Sequence, residues 1–218
     1  MPLLPRMILV LGGTAAYLAL AILGWGGIAA FFSDPARTAL AVALAVLAGV
    51  SLFAGGNVSS GVREDRSNRW VIGAFALLGL LDGFLPAYTD RLDFWTIDGD
   101  AVRWLGVVLF VAGSALRLWP VFVLGRRFSA VVAIQERHEL ATDGPYRWVR
   151  NPSYLGGLVG GLGWALVFRS VVGVLLLLPF LWLLVTRIHA EEALLASEFG
   201  PTYEAYRQRT WRLLPWVY

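Results

Sequence analysis

Apolar positions in this chain come in long unbroken runs rather than in the stripes of a soluble helix. Residues 7–32 carry no charge, and further apolar runs cover 38–56, 70–88 and 101–124. A helix crossing the hydrocarbon core of a bilayer needs roughly 20 such residues. The first run exceeds the apolar core of a cleaved signal and others follow it, so it reads as a retained span. A last pair, 154–168 and 171–185, is shorter and is separated by Arg169-Ser170. The pair reads as a tight helical hairpin whose limbs barely reach across, so that at least one is tilted, kinked or partly re-entrant. The pattern predicts an all-α fold: a polytopic integral membrane bundle of about six apolar helices, with a C-terminal helical hairpin and cytoplasmic tail helices.

Composition agrees: 58% of the 218 residues are hydrophobic and 15% charged, against ~25% charged in an ordinary soluble domain. Charge then orients the bundle through the positive-inside bias. Arg63, Arg66 and Arg69 fall in one loop; Arg126, Arg127, Arg137, Arg147 and Arg150 in another; Arg207, Arg209 and Arg212 in the tail. The alternate loops are poorer in arginine, and the one at 89–100 is acidic. Both termini are therefore expected in the cytoplasm, with the hairpin tip outside. The basic excess reads as a membrane face and not as a nucleic-acid surface. The chain has no cysteine, which excludes disulfides, thiolate zinc sites and a catalytic thiol.

Two regions differ in character. Residues 1–124 are mostly spans with short loops. Residues 125–218 hold most of the polar chemistry: a cytoplasmic linker, the hairpin and a polar tail. The tail opens as a helix with Glu191 and Glu192, is interrupted at Gly200-Pro201, and resumes as a short helix over 203–209.

The stretch "GPYRWVRNPSYLGG", 144–157, places arginines and aromatic rings where the hairpin enters the membrane. Asn151-Pro152 reads as a helix start, with Asn as N-cap and Pro in the first turn. The exposed N–H groups of that turn favour an anion. Arg147 and Arg150 add donors, and Tyr146, Trp148 and Tyr154 add aromatic faces. One wall of a pocket for a charged, ring-containing ligand fits these residues; so does a plain aromatic and basic interfacial collar. Gly156 and Gly160, with Gly157 and Gly161, have the spacing of close helix packing in membranes. Arg187 and Glu191 share a helix face, as a simple ion pair or as a ligand site. Asp82 is an intramembrane carboxylate and hence a functional candidate. Arg117 lies near the cytoplasmic end of its run, where it is expected to snorkel. His138 and His189 are too isolated to hold a metal.

The order of motifs is more specific. "ERHELATDGPYRWVRNPSYLGG", a hairpin, then "RIHAEEALLASEFGPTYEAYRQRTWRLLP" resembles the isoprenylcysteine carboxyl methyltransferase family and its membrane-methyltransferase relatives. The matching elements are His138 with Leu140, Gly144 with Tyr146, Arg150-Asn151-Pro152-Ser153-Tyr154, Arg187, Glu191-Glu192, and Phe199-Gly200 with Tyr203 and Tyr206. "SSGVREDRSNRW" and "LRLWPVFVLGRRFS" look like bacterial members, a resemblance that implies a bacterial inner membrane. The resemblance implies S-adenosyl-L-methionine as cofactor, bound on the cytoplasmic side by His138, Glu139, Leu140, Ala141, Tyr146, Arg150, Asn151, Pro152, Tyr154, Glu191 and Glu192. Arg187 and Glu191 are the implied catalytic pair, with Arg187 toward the reacting group of a lipophilic or lipidated acceptor. No metal and no nucleic acid are implied. Asn151 stands where the family pattern has histidine; it still forms hydrogen bonds but cannot titrate. An NADPH-dependent membrane reductase of the sterol type, and a non-catalytic lipid-binding scaffold, are the competing readings.

Overall fold

The computed structural model describes residues 3–53, 63–64, 66–124, 133–134 and 140–218. Helix α1 is Leu3–Trp25 and α2 is Ile28–Phe32. The first apolar run is therefore not one helix. Gly26 and Gly27 break it with φ of 101° and 121°, values side chains beyond glycine rarely adopt. Asp34 then caps α3, Pro35–Ser51, by accepting from the Arg37 N–H at 2.9 Å.

Helix α4 is Trp70–Arg91 and α5 is Asp100–Leu124. The hairpin follows as α6, Pro152–Val167, and α7, Val171–Phe199. Ser170 caps α7 by accepting from Gly173 N–H at 3.0 Å. Gly200 breaks the chain at φ 48°, and α8 is Pro201–Gln208, close to the short helix expected at 203–209. Among the described residues, the strands are a two-residue antiparallel pair, Arg63–Glu64 with Ala133–Ile134. It joins the two arginine-bearing loops, on the same side of the bundle.

Four helices, α1, α4, α5 and α7, are long and apolar enough to cross a membrane. With the 17-residue α3 and the 16-residue α6 they make the six apolar helices expected. The chain is an integral membrane protein, and side chains such as Leu9, Val42, Leu80, Val108 and Leu178 lie exposed along its flanks, where lipid covers them. α7 has 29 residues. At 1.5 Å per residue it runs to roughly 44 Å, longer than a hydrocarbon core of about 30 Å. Its last turns, with Glu191 and Glu192, therefore project beyond that core.

α5 and α6 form the central pair, and glycine makes their approach possible. A methyl group added at Gly106, Gly113, Gly156 or Gly163 would overlap the backbone of the opposite helix. The small-residue spacing thus serves helix packing, as expected. Trp164 of α6 and Phe168 just after it fill the core beside Phe31 and Leu40. At the hairpin-tip end, buried Asp90 binds Arg103 at 2.6 Å and Arg169 at 2.9 Å. Arg37 lies 3.8 Å over the Trp25 ring and donates to the carbonyls of Phe31 and Ala30. Each of these buried charges is paired or hydrogen-bonded, which offsets part of their burial penalty. That cluster fixes the hairpin-tip end of the bundle and leaves the opposite end to build the site.

Candidate functional site

At the end where α7 projects, three segments far apart in sequence are sewn together. The 3-10 turn Gly144–Arg147 begins with Gly144 at φ 58° and buries Pro145. Val149 pairs with Trp211 in the tail, the Arg150 N–H donating to Trp211 O at 2.8 Å and the Trp211 N–H to Trp148 O at 2.9 Å. Arg150 Nε donates to Glu192 Oε1 at 2.9 Å, and Arg212 binds the other oxygen of Glu192 at 2.9 Å. The Tyr206 hydroxyl donates to Tyr146 O at 2.9 Å. Turn, α7 and α8 thereby become one polar floor beneath the bundle.

Asn151 stands at the N-cap position of α6 with Pro152 behind it, but its side chain does not cap. Its Nδ2 donates instead to Arg212 O at 2.8 Å. The expectation of a side-chain cap is therefore corrected: the asparagine side chain ties the helix start to the tail, while its carbonyl accepts from the Tyr154 and Leu155 N–H groups.

Above the floor, two donors converge on one carboxylate oxygen. Tyr154 Oη donates to Glu191 Oε1 at 2.5 Å, and Arg187 Nε donates to Tyr154 Oη at 2.6 Å and to Glu191 Oε1 at 2.9 Å. The Arg187–Glu191 pair expected from its four-residue spacing is present, and Tyr154 from the other limb of the hairpin completes it.

These groups surround a cavity of about 740 Å³, in the range of small-molecule sites. Leu140, Ala141, Tyr146, Arg150 and Asn151 line it, as do Pro152, Tyr154, Arg187, Glu191 and Glu192. His138 and Glu139 lie outside the described residues. Every other residue implied by the resemblance thus meets in one place, whereas Arg147 and Trp148, expected in the pocket wall, do not line it. The cavity has two characters. Toward the floor it is bordered by Tyr146, Glu191, Tyr203 and Tyr206; inside the bundle it runs between Phe75, Leu78, Leu177 and Phe180. Burial pushes the Tyr146 phenol well up, and the Tyr206 phenol up to about 12. Both remain protonated donors throughout the physiological range.

Arg117 and Tyr203 are among the lining residues that escaped the sequence reading as site members. Arg117 is not a snorkelling cation: it lines the cavity from α5, against Gly157, where an added methyl group would meet its Nη1 at 2.7 Å. Among the described residues no carboxylate pairs with it. The available signal was an arginine in an apolar run with no acidic residue three or four positions away. Tyr203, one of the matched tyrosines, lines the cavity too, and its buried hydroxyl has no hydrogen-bond partner among the described residues. Buried polar atoms are nearly always satisfied, so an orphan facing a cavity fits a polar ligand there. No cluster of His, Cys, Asp or Glu suited to a metal occurs among the described residues.

Residues 104–197 match the family model described as the isoprenylcysteine carboxyl methyltransferase (ICMT) family. A probable protein-S-isoprenylcysteine O-methyltransferase of Oryza sativa subsp. indica is 30% identical over 147 residues, 66% of this chain and 74% of the relative. The protein-S-isoprenylcysteine O-methyltransferase of Schizosaccharomyces pombe is 40% identical over 100 residues, 44% of this chain and 42% of the relative. A solved eukaryotic intramembrane Ras methyltransferase, ICMT, aligns with all of this chain and 88% of its own at 21% identity and a TM-score of 0.49. The matched segment runs from the start of α5 nearly to the end of α7, the three helices that carry Arg117, Tyr154 and Arg187, and on these matches the chain belongs to the isoprenylcysteine carboxyl methyltransferase family.

Proposed function

We propose that this protein transfers a methyl group from S-adenosylmethionine to the carboxylate of a lipophilic acceptor held within the membrane. The observation that carries the reading is one cavity with a polar half against the tail and an apolar half between the helices, Arg117, Tyr154 and Arg187 lying between them. The residues suit the cofactor. Leu140 and Ala141 supply apolar surface, Tyr146 and Tyr203 rings and hydroxyls, and Glu191 a carboxylate for the ammonium. Asn151 supplies a side chain that forms hydrogen bonds without titrating. Arg150 and Glu192 border the same space and pin the tail beneath it. When bound, the cofactor supplies a methyl group on a positively charged sulfur, which leaves as a neutral thioether once the acceptor oxygen takes the methyl.

The chain's own task is then chiefly positioning. A carboxylate is already ionised at neutral pH, so no general base is required, and a site with asparagine in place of a titratable histidine remains competent. Arg117 holds the acceptor carboxylate from α5, where a guanidinium fork matches its two oxygens. Arg187 approaches from α7, and its Nε contact with Tyr154 and Glu191 fixes its rotamer. We place the floor in the cytoplasm of a bacterial inner membrane, because the arginines cluster on that side. The water-soluble cofactor then arrives from below and the acceptor from the lipid.

The test is thermal stabilisation of the purified, detergent-solubilised chain. S-adenosylhomocysteine is expected to raise the melting temperature and NADPH to leave it unchanged. Stabilisation by NADPH alone would replace this reading with a reductase, and stabilisation by neither would remove the nucleotide site.

A further inference from the structure

The apolar half of the cavity does not end in hydrocarbon. Asp82 of α4 lines its inner end with Tyr17 of α1 and Trp164 of α6. Tyr17 Oη donates to Asp82 Oδ2 at 2.6 Å, and Trp164 Nε1 donates to Asp82 O at 2.9 Å. Oδ1 of Asp82 accepts no hydrogen bond among the described residues, and Asp82 is a lining residue of the cavity. A carboxyl group deep in a bilayer is expensive. Tying α1 to α4 requires one acceptor oxygen, which any neutral amide would provide. The second oxygen has no structural task.

Depth follows from the helices. Arg117, Ser114 and Phe110 descend one wall of the cavity on α5, and Phe110 meets Trp164 with ring centroids 6.0 Å apart. The step from Arg117 to Phe110 is seven residues, or roughly 10 Å of helix. A guanidinium and a carboxyl–phenol pair therefore stand at the two ends of an apolar slot about one medium-length aliphatic chain apart.

We propose that the acceptor carries two polar ends. Its carboxylate meets Arg117, its chain lies along the Gly157 and Gly161 face of α6, and its far end bears a hydrogen-bond donor, a hydroxyl or an ammonium, received by Asp82 beside Tyr17. A simple hydrocarbon tail would leave Oδ1 unsatisfied and dehydrated, so the site discriminates against it. This rests on the methyltransferase reading for the role of the Arg117 end; the Asp82 end stands on its own contacts.

Binding measured without turnover separates the two. The full chain in nanodiscs, with and without S-adenosylhomocysteine, is titrated with lauric acid, ω-hydroxylauric acid and ω-aminolauric acid, and dissociation constants are compared. At least one ω-substituted acid is expected to bind about tenfold more tightly than lauric acid. Asp82→Leu should abolish that preference while S-adenosylhomocysteine affinity is kept. Should that variant fail to fold, Asp82→Asn, which keeps an acceptor for Tyr17, should abolish the preference for the amine. Equal affinity for all three acids, binding of none of them, or a preference that survives these substitutions overturns the proposal. Loss of S-adenosylhomocysteine binding in the unaltered protein overturns the methyltransferase reading instead, and leaves the comparison of acids readable.

Discussion

Arg117 is the residue whose removal separates acceptor binding from cofactor binding. It sits on α5, away from the floor, and a hydrogen bond to a charged partner contributes about 1.5–3 kcal/mol. Arg117→Gln is therefore expected to lower kcat/KM for the acceptor by about tenfold to a hundredfold, with S-adenosylhomocysteine affinity within twofold of the unaltered protein. Arg117→Lys should recover only part of the loss, since an ammonium cannot hold two oxygens in a fork. Steady-state kinetics beside equilibrium binding checks both. This residue was hard to find from sequence for a physical reason. Its neighbours in the cavity, Gly157 and Tyr154, come from another helix, and nothing local distinguishes a guanidinium turned inward from one turned toward headgroups. Tyr154, Glu191 and Arg187 were legible because their spacing and order are characteristic. Asn151 was half legible: proline behind it marked the helix start, but only the fold brings Arg212 O within its reach.

At the scale of elements, the α5–α6 pair is the most sensitive. Gly156 faces the α5 backbone around Arg117, and a methyl group there has no flexible side chain to displace. Overpacking of a core costs about 1–3 kcal/mol even where side chains can yield; here only backbone can. Gly156→Ala is expected to lower the melting temperature markedly, whereas Gly73→Ala, at a position where nothing lies within 4 Å, should leave it unchanged or raise it slightly. Differential scanning of the two variants in one detergent is the measurement. The spacing of these glycines was visible in the sequence and their packing role was expected. Hidden was the division of labour around the helix: Gly156, Gly160 and Gly163 meet α5, while Gly157 and Gly161 face Phe180 and Leu177 of α7.

For the whole molecule, run length and composition were enough to place the chain in a membrane and to count its apolar helices, because lipid demands self-satisfied backbone and long apolar surface. The break at Gly26-Gly27 was missed, since glycine inside an apolar run is also common in spans. The small strand pair escaped as well, having no periodicity long enough to detect. Orientation has a clean test because the chain contains no cysteine. A single thiol introduced as Asp98→Cys, in the exposed acidic loop, should react with a membrane-impermeant maleimide in intact cells. One introduced as Gln208→Cys, at the end of α8, should react only after the membrane is opened. The reverse pattern would invert the bundle and move the floor to the other side.

Where backbone meets backbone, no rotamer can swing aside. The glycine-lined contact of α5 with α6 therefore behaves as a welded plate, and a greasy molecule cannot slip through it. The opposite wall is made differently: Trp70 rests on Trp182 with centroids 5.8 Å apart and Phe75 on Phe180 at 5.5 Å, all rings that turn about single bonds. On the proposed function, the seam between α4 and α7, held by aromatic side chains and not by backbone, is the wall suited to part for a lipid-borne acceptor.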